Sequence, residues 1–107
     1  VNLNCADLRY ADLYGTNLKS AYLKYADLEG VNLRNANLYE ANLRYANLRY
    51  ANLRYANLKY ADLEGVNLEG VDLSCADLPL QYAFQLHCSQ ATALSLLYEH
   101  LIQLHLL

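Results

Sequence analysis

The chain has 107 residues, a formal net charge of −3, eleven tyrosines, one proline, and neither methionine nor tryptophan. At 55% hydrophobic it is too apolar for a solvated coil, while its greasiest segment, Ala91 to Leu107, is broken by Glu99, His100, Gln103 and His105 and falls short of the roughly 20 apolar residues a membrane helix needs. Charge is segregated: all eight Lys and Arg lie between Arg9 and Lys59, and residues 61–107 carry six acids and no basic residue other than histidine.

From Val1 to Leu80 the chain is a tandem of sixteen five-residue units. The third position is always leucine: Leu3, Leu8, Leu13, Leu18, Leu23, Leu28, Leu33, Leu38, Leu43, Leu48, Leu53, Leu58, Leu63, Leu68, Leu73 and Leu78. Two residues earlier stands Ala, or Val at 1, 31, 66 and 71, or Thr16. A period of five suits neither a helix, around which these leucines would wander, nor a flat strand, where an odd period alternates faces. The chain must therefore turn once per unit, so that the small residue and the leucine point inward from a short extended segment and the other three positions face out.

Asn or Asp precedes the leucine in every unit except that of Tyr22. Such side chains bond nearby backbone groups and favour turns. Gly15, Gly30, Gly65 and Gly70 close their units, where a corner asks for unusual dihedrals. The residue after each leucine tests how many units make one coil, because stacked neighbours of opposite charge attract. Stacking every 20 residues gives four opposite pairs (Arg9 with Glu29, Glu29 with Arg49, Arg49 with Glu69, Arg44 with Glu64) and two like pairs (Lys24 with Arg44, Arg34 with Arg54). Stacking every 15 gives three opposite and four like, and every 25 gives two and four. Four units per coil are favoured, hence about four coils.

Units such as Ala46-Asn47-Leu48-Arg49-Tyr50 and Ala61-Asp62-Leu63-Glu64-Gly65 resemble the A(D/N)LXX motif of the pentapeptide-repeat family. The resemblance implies an all-β solenoid, a right-handed quadrilateral β-helix with the leucine and the small residue inside. Between Ala41 and Tyr60 the unit Ala-Asn-Leu-(Arg/Lys)-Tyr recurs four times almost verbatim, a uniformity that consensus engineering or recent duplication would produce.

Pro79 lacks the donor that would continue a ladder, and the pattern stops at Leu80. Residues 1–80 are thus expected to form the β-helix and residues 81–107 a C-terminal helical cap, with Ser89 as a candidate N-cap. Leu80, Ala83, Phe84, Leu94, Leu97, Leu101 and Leu104 recur at helical spacing. Leu96, Ile102, Leu106 and Leu107 add apolar surface outside that stripe. A homodimer through Leu94, Leu97, Leu101, Ile102 and Leu104 would cover it; folding of the whole tail onto the stack is the alternative. The other end, Val1 to Cys5, shows no cap.

Arg44, Arg49, Arg54 and Lys59 each precede a tyrosine. Basic residues interleaved with aromatics can hold nucleic acid, but four consecutive units occupy four sides and make a belt instead of a groove, which argues against that partner. Cys5, Cys75 and Cys88 are odd in number without framework spacing, so reduced thiols of a cytoplasmic chain are expected. His87, Cys88, His100 and His105 have poor metal-ligand spacing. No phosphate-binding glycine loop or nucleophile-base pattern is present, so neither an enzyme, a cofactor nor a small-molecule substrate is expected. The residues read as a non-enzymatic scaffold that binds or self-assembles through its outer faces and tail. The family resemblance adds an alternative, mimicry of DNA toward type II topoisomerases such as gyrase. That role needs a strongly negative rod, whereas acids cluster here only at Asp62, Glu64, Glu69, Asp72 and Asp77.

Overall fold

A computed structural model describes residues 1–79. Within them every unit repeats one local conformation. The amide of each first-position residue bonds the carbonyl of the leucine three residues earlier, as in Ala6 N to Leu3 O at 3.1 Å and Ala51 N to Leu48 O at 3.0 Å. The corner so closed places its fifth-position residue at positive φ, between 58° and 70°, in every unit from Cys5 to Cys75. A turn with positive φ at its third residue is the type II kind, which glycine adopts without strain. Only four units supply glycine; the others force Cys, Ser, Asn, Glu and six tyrosines into the left-handed region.

At the entry to the corner, the second-position side chain ties the backbone down. Its Oδ1 accepts the amide two residues on, as in Arg54 N to Asn52 at 3.0 Å and Ser74 N to Asp72 at 3.0 Å. Tyr22 cannot do this. The amide left over in its unit, Lys24 N, is taken at 2.9 Å by Asn4 Oδ1 from the coil beneath. Pro79, two residues after Asp77, has no amide to satisfy.

Parallel bridges join each second-position residue to the one twenty residues on, from Asn2 with Tyr22 to Asn57 with Asp77. Four units therefore make a coil: residues 1–20, 21–40, 41–60 and 61–79. Between coils each unit makes three kinds of backbone bond. The third- and fifth-position amides donate up the chain, as in Leu3 N to Tyr22 O and Cys5 N to Lys24 O, and only the second-position amide donates down, as in Tyr22 N to Val1 O. Two bonds in three thus point the same way along the axis.

Leucine and the small residue fill the interior. Leu23, Leu28, Leu33, Leu38, Leu43, Leu48 and Leu53 are fully buried, Leu58, Leu63, Leu68, Leu73, Leu18 and Leu78 nearly so, and Leu3, Leu8 and Leu13 of the first coil are half-buried. Thr16 is the polar member of this set, and its hydroxyl donates to Leu13 O at 2.8 Å. The tail and boundary expected from the sequence, with Leu94, Leu97, Leu101, Ile102 and Leu104, lie outside the described residues.

Candidate functional site

Because the register is 20 residues, outward side chains form four faces, each with columns of fixed membership. The face of units 6–10, 26–30, 46–50 and 66–70 is saturated with ion pairs. Arg9 meets Asp7 at 2.9 Å and Asp27 at 3.7 Å, and Arg49 meets Glu69 at 3.1 Å. Arg49 also lies over the Tyr50 ring, 5.3 Å from its centroid, and that ring covers Gly70, where any Cβ would collide with it. The hydrogen bond to Asp7 raises the basicity of Arg9, and the same contact holds the Asp7 carboxyl below the ordinary carboxylate range.

On the face of units 1–5, 21–25, 41–45 and 61–65, Arg44 pairs with Glu64 and lies 3.8 Å from Asp62. The rings of Tyr25 and Tyr45 stack at 5.2 Å, and Tyr45 covers Gly65. Tyr45 and then Glu64 strengthen the Arg44 guanidinium as a base. The pairs Arg44–Glu64 and Arg49–Glu69 appear as the charge count expected. The two expected pairs of Glu29 do not form: Arg9 reaches the shorter Asp7 and Asp27 instead, and Arg49 goes to Glu69.

The face of units 11–15, 31–35, 51–55 and 71–75 is different. Arg34 and Arg54 sit one coil apart, and their guanidinium carbons lie 5.7 and 5.9 Å from the centroid of one ring, Tyr55. Neither forms an ion pair among the described residues. Arg54 Nε, like those of Arg44 and Arg49 on two other faces, is buried without a hydrogen-bond partner. The acids nearby bond neutral donors and stand in no ion pair with either arginine: Asp72 Oδ1 accepts both the amide and the hydroxyl of Ser74, and Asp12 Oδ1 accepts Tyr14 N and Asn32 Nδ2. Burial alone would raise the Asp72 carboxyl, but the two Ser74 bonds, helped by Arg54, hold it below its ordinary value. This like-charged pair counted against the register in the sequence; the structure shows it to be real. On the fourth face Lys19 lies 5.6 Å from the Tyr39 ring centroid, and Tyr39 meets Tyr60 edge-on at 5.3 Å.

The four basic-aromatic pairs at residues 44–60 thus fall on four faces, two of them already neutralised by acids. Among the described residues no group of three metal-capable side chains is present, and His87, Cys88, His100 and His105 lie outside them. The expectation of three reduced thiols is corrected at one site: Cys5 is free and exposed, but Cys75 is disulfide-bonded. Odd cysteine number alone could not exclude a single bridge. Among the described residues no helix is long and apolar enough to cross a membrane.

The family model for pentapeptide repeats, in eight copies, matches residues 2–38 and 36–74. No curated protein sequence matches the chain. Among solved structures, the chain is similar to the pentapeptide repeat protein Rfr23 from the cyanobacterium Cyanothece 51142, with 41% identity, a TM-score of 0.70 and coverage of 72% of this chain and 53% of that one. It is likewise similar to a pentapeptide repeat protein from the Arabidopsis thaliana thylakoid lumen, with 30% identity, a TM-score of 0.71 and the same coverage. The match thus spans about half the length of each neighbour. These neighbours imply a right-handed quadrilateral β-helix.

Proposed function

Because the chain belongs to the pentapeptide-repeat family, we propose that it is a non-enzymatic scaffold whose outer faces bind partners and whose residues 91–107 drive self-association. The observation that supports the scaffold reading is the separation of roles within each unit. Positions one and three are consumed by the core and position two by its bond to the backbone, which leaves position four, and position five within its left-handed backbone, to vary in rigid columns on four faces. Surplus apolar residues at Leu94, Leu97, Leu101, Ile102 and Leu104 support the dimer.

DNA mimicry is the less favoured reading, because Arg44 and Arg49 cancel Glu64 and Glu69 on two faces and so interrupt the negative surface that a phosphate-backbone surrogate requires. A gyrase supercoiling assay separates the two. The scaffold reading expects unchanged supercoiling at large molar excess; inhibition near stoichiometric protein would replace it with mimicry. Light scattering on the full chain is expected to give twice the 12.2 kDa chain mass, and a monomer at high concentration would remove the self-association.

A further inference from the structure

We propose that Arg34, Arg54 and Tyr55 form a binding site for an oxyanion, a phosphate or carboxylate group, on the face of units 31–35 and 51–55. The bridge between Asn32 and Asn52 fixes the two arginines in the same position of successive coils, roughly one strand spacing of 4.8 Å apart along the axis. Like charges directly opposite one another across a ladder repel. On two other faces the arginine of the third coil has an acid in the next coil, Glu64 for Arg44 and Glu69 for Arg49. Here the corresponding residue is Ser74, whose hydroxyl is already committed to Asp72. The fourth-position column therefore holds two guanidiniums and no acid, and Asp72 of the same face acts on Arg54 only from beyond ion-pair distance.

Both groups also share an aromatic neighbour. Each lies near the same ring, that of Tyr55, a contact that draws both guanidiniums to one spot on the surface. The buried, unpartnered Nε of Arg54 is shared by Arg44 and Arg49 and does not single out this column; what does is that no ion pair engages the guanidinium of Arg34 or of Arg54 among the described residues. A planar carboxylate or a tetrahedral phosphate matches the guanidinium fork. The site goes beyond the scaffold reading and stands whether or not that reading holds, because it rests on this column alone.

The test uses the full chain and follows the Arg side-chain Nε resonances and the thermal midpoint while sodium phosphate, sodium acetate or sodium chloride is added at matched ionic strength. Phosphate or acetate is expected to shift the Arg54 Nε resonance saturably and to raise the midpoint above the chloride control; whichever acts identifies the source chemistry. Arg34→Gln or Arg54→Gln should each weaken the apparent affinity roughly tenfold, the value of one lost charge-assisted bond, whereas Arg49→Gln on the neutralised face should leave it unchanged. Arg34→Lys, which keeps the charge but not the fork, checks that folding is intact while recognition falls. Equal responses to all three salts, or a response that survives in both glutamine variants, would overturn the site.

Discussion

At the fifth position of each unit the backbone asks for glycine and mostly receives something else. A left-handed conformation costs an ordinary L-residue roughly 1–2 kcal/mol, and the corner from Leu18 to Ala21 imposes it on Ser20 at φ 58°. The Ser20 amide still donates to Tyr39 O at 2.8 Å, so replacing the side chain leaves the ladder intact. Ser20→Gly is expected to be neutral or to stabilise by about 0.5–1 kcal/mol, and Ser20→Val to destabilise by about 1–2 kcal/mol, since a β-branched residue is most strained there. Chemical denaturation of the pair measures both, and a valine variant as stable as the glycine one would contradict the strain argument. Tyrosine at this position is not idle: although exposed, Tyr45 and Tyr50 lay one ring edge over the glycines of the next coil, and that contact offsets part of their own strain.

Asp72 carries a pH consequence. Its carboxyl titrates below its ordinary value in the fold, so the folded chain binds fewer protons there than the unfolded chain does. The resulting stability is fully present above the unfolded value near 3.9 and is lost as pH falls through the lower folded value. Asp72→Asn keeps an acceptor for the Ser74 amide but cannot titrate. Its thermal midpoint should fall less steeply than that of the parent below about pH 4, and identical acid limbs for the two chains would refute the assignment.

Among the elements, the unit around Tyr22 shows how one departure from the repeat is absorbed. Its missing side-chain acceptor is replaced by Asn4 from the coil beneath. Asn4→Ala should therefore cost about 0.5–1.5 kcal/mol. The same change should be nearly silent after Tyr22→Asn, which restores the local acceptor. A double-mutant cycle with no coupling between these sites would show that the cross-coil bond contributes nothing.

How much could be read beforehand follows from the same units. The leucine period dictated the corners, the inward positions and, through charge, the 20-residue register, because all of these repeat. The positive φ at every corner was hidden by side chains that disguise it, with only Gly15, Gly30, Gly65 and Gly70 as clues. The Asn4 bond was visible only as the oddity of Tyr22, and the Arg34, Arg54 and Tyr55 cluster only as a like-charge pair, because neither repeats.

For the molecule as a whole, the core is a column of leucine layers, and the deepest layers are the middle ones. Leu53 in the third coil has no exposure. Leu53→Ala should destabilise by about 2–5 kcal/mol, and a loss below about 0.5 kcal/mol in denaturant unfolding would mean that this layer is not where the fold is held.

The uneven direction of the backbone bonds reaches beyond stability. Since two amides in three aim up the chain, the first coil is left with the carbonyls of Asn2, Asn4, Asp7, Arg9, Asp12, Tyr14, Asn17 and Lys19 accepting no backbone bond among the described residues. The solenoid is therefore an electrical arrow whose tail is faintly negative, the reverse of the α-helix, whose amino end is positive. The same edge also presents the second-position amides of Asn2, Asp7, Asp12 and Asn17, which donate no backbone bond among the described residues, so a strand that extends the stack from that side must offer two N–H groups for every carbonyl.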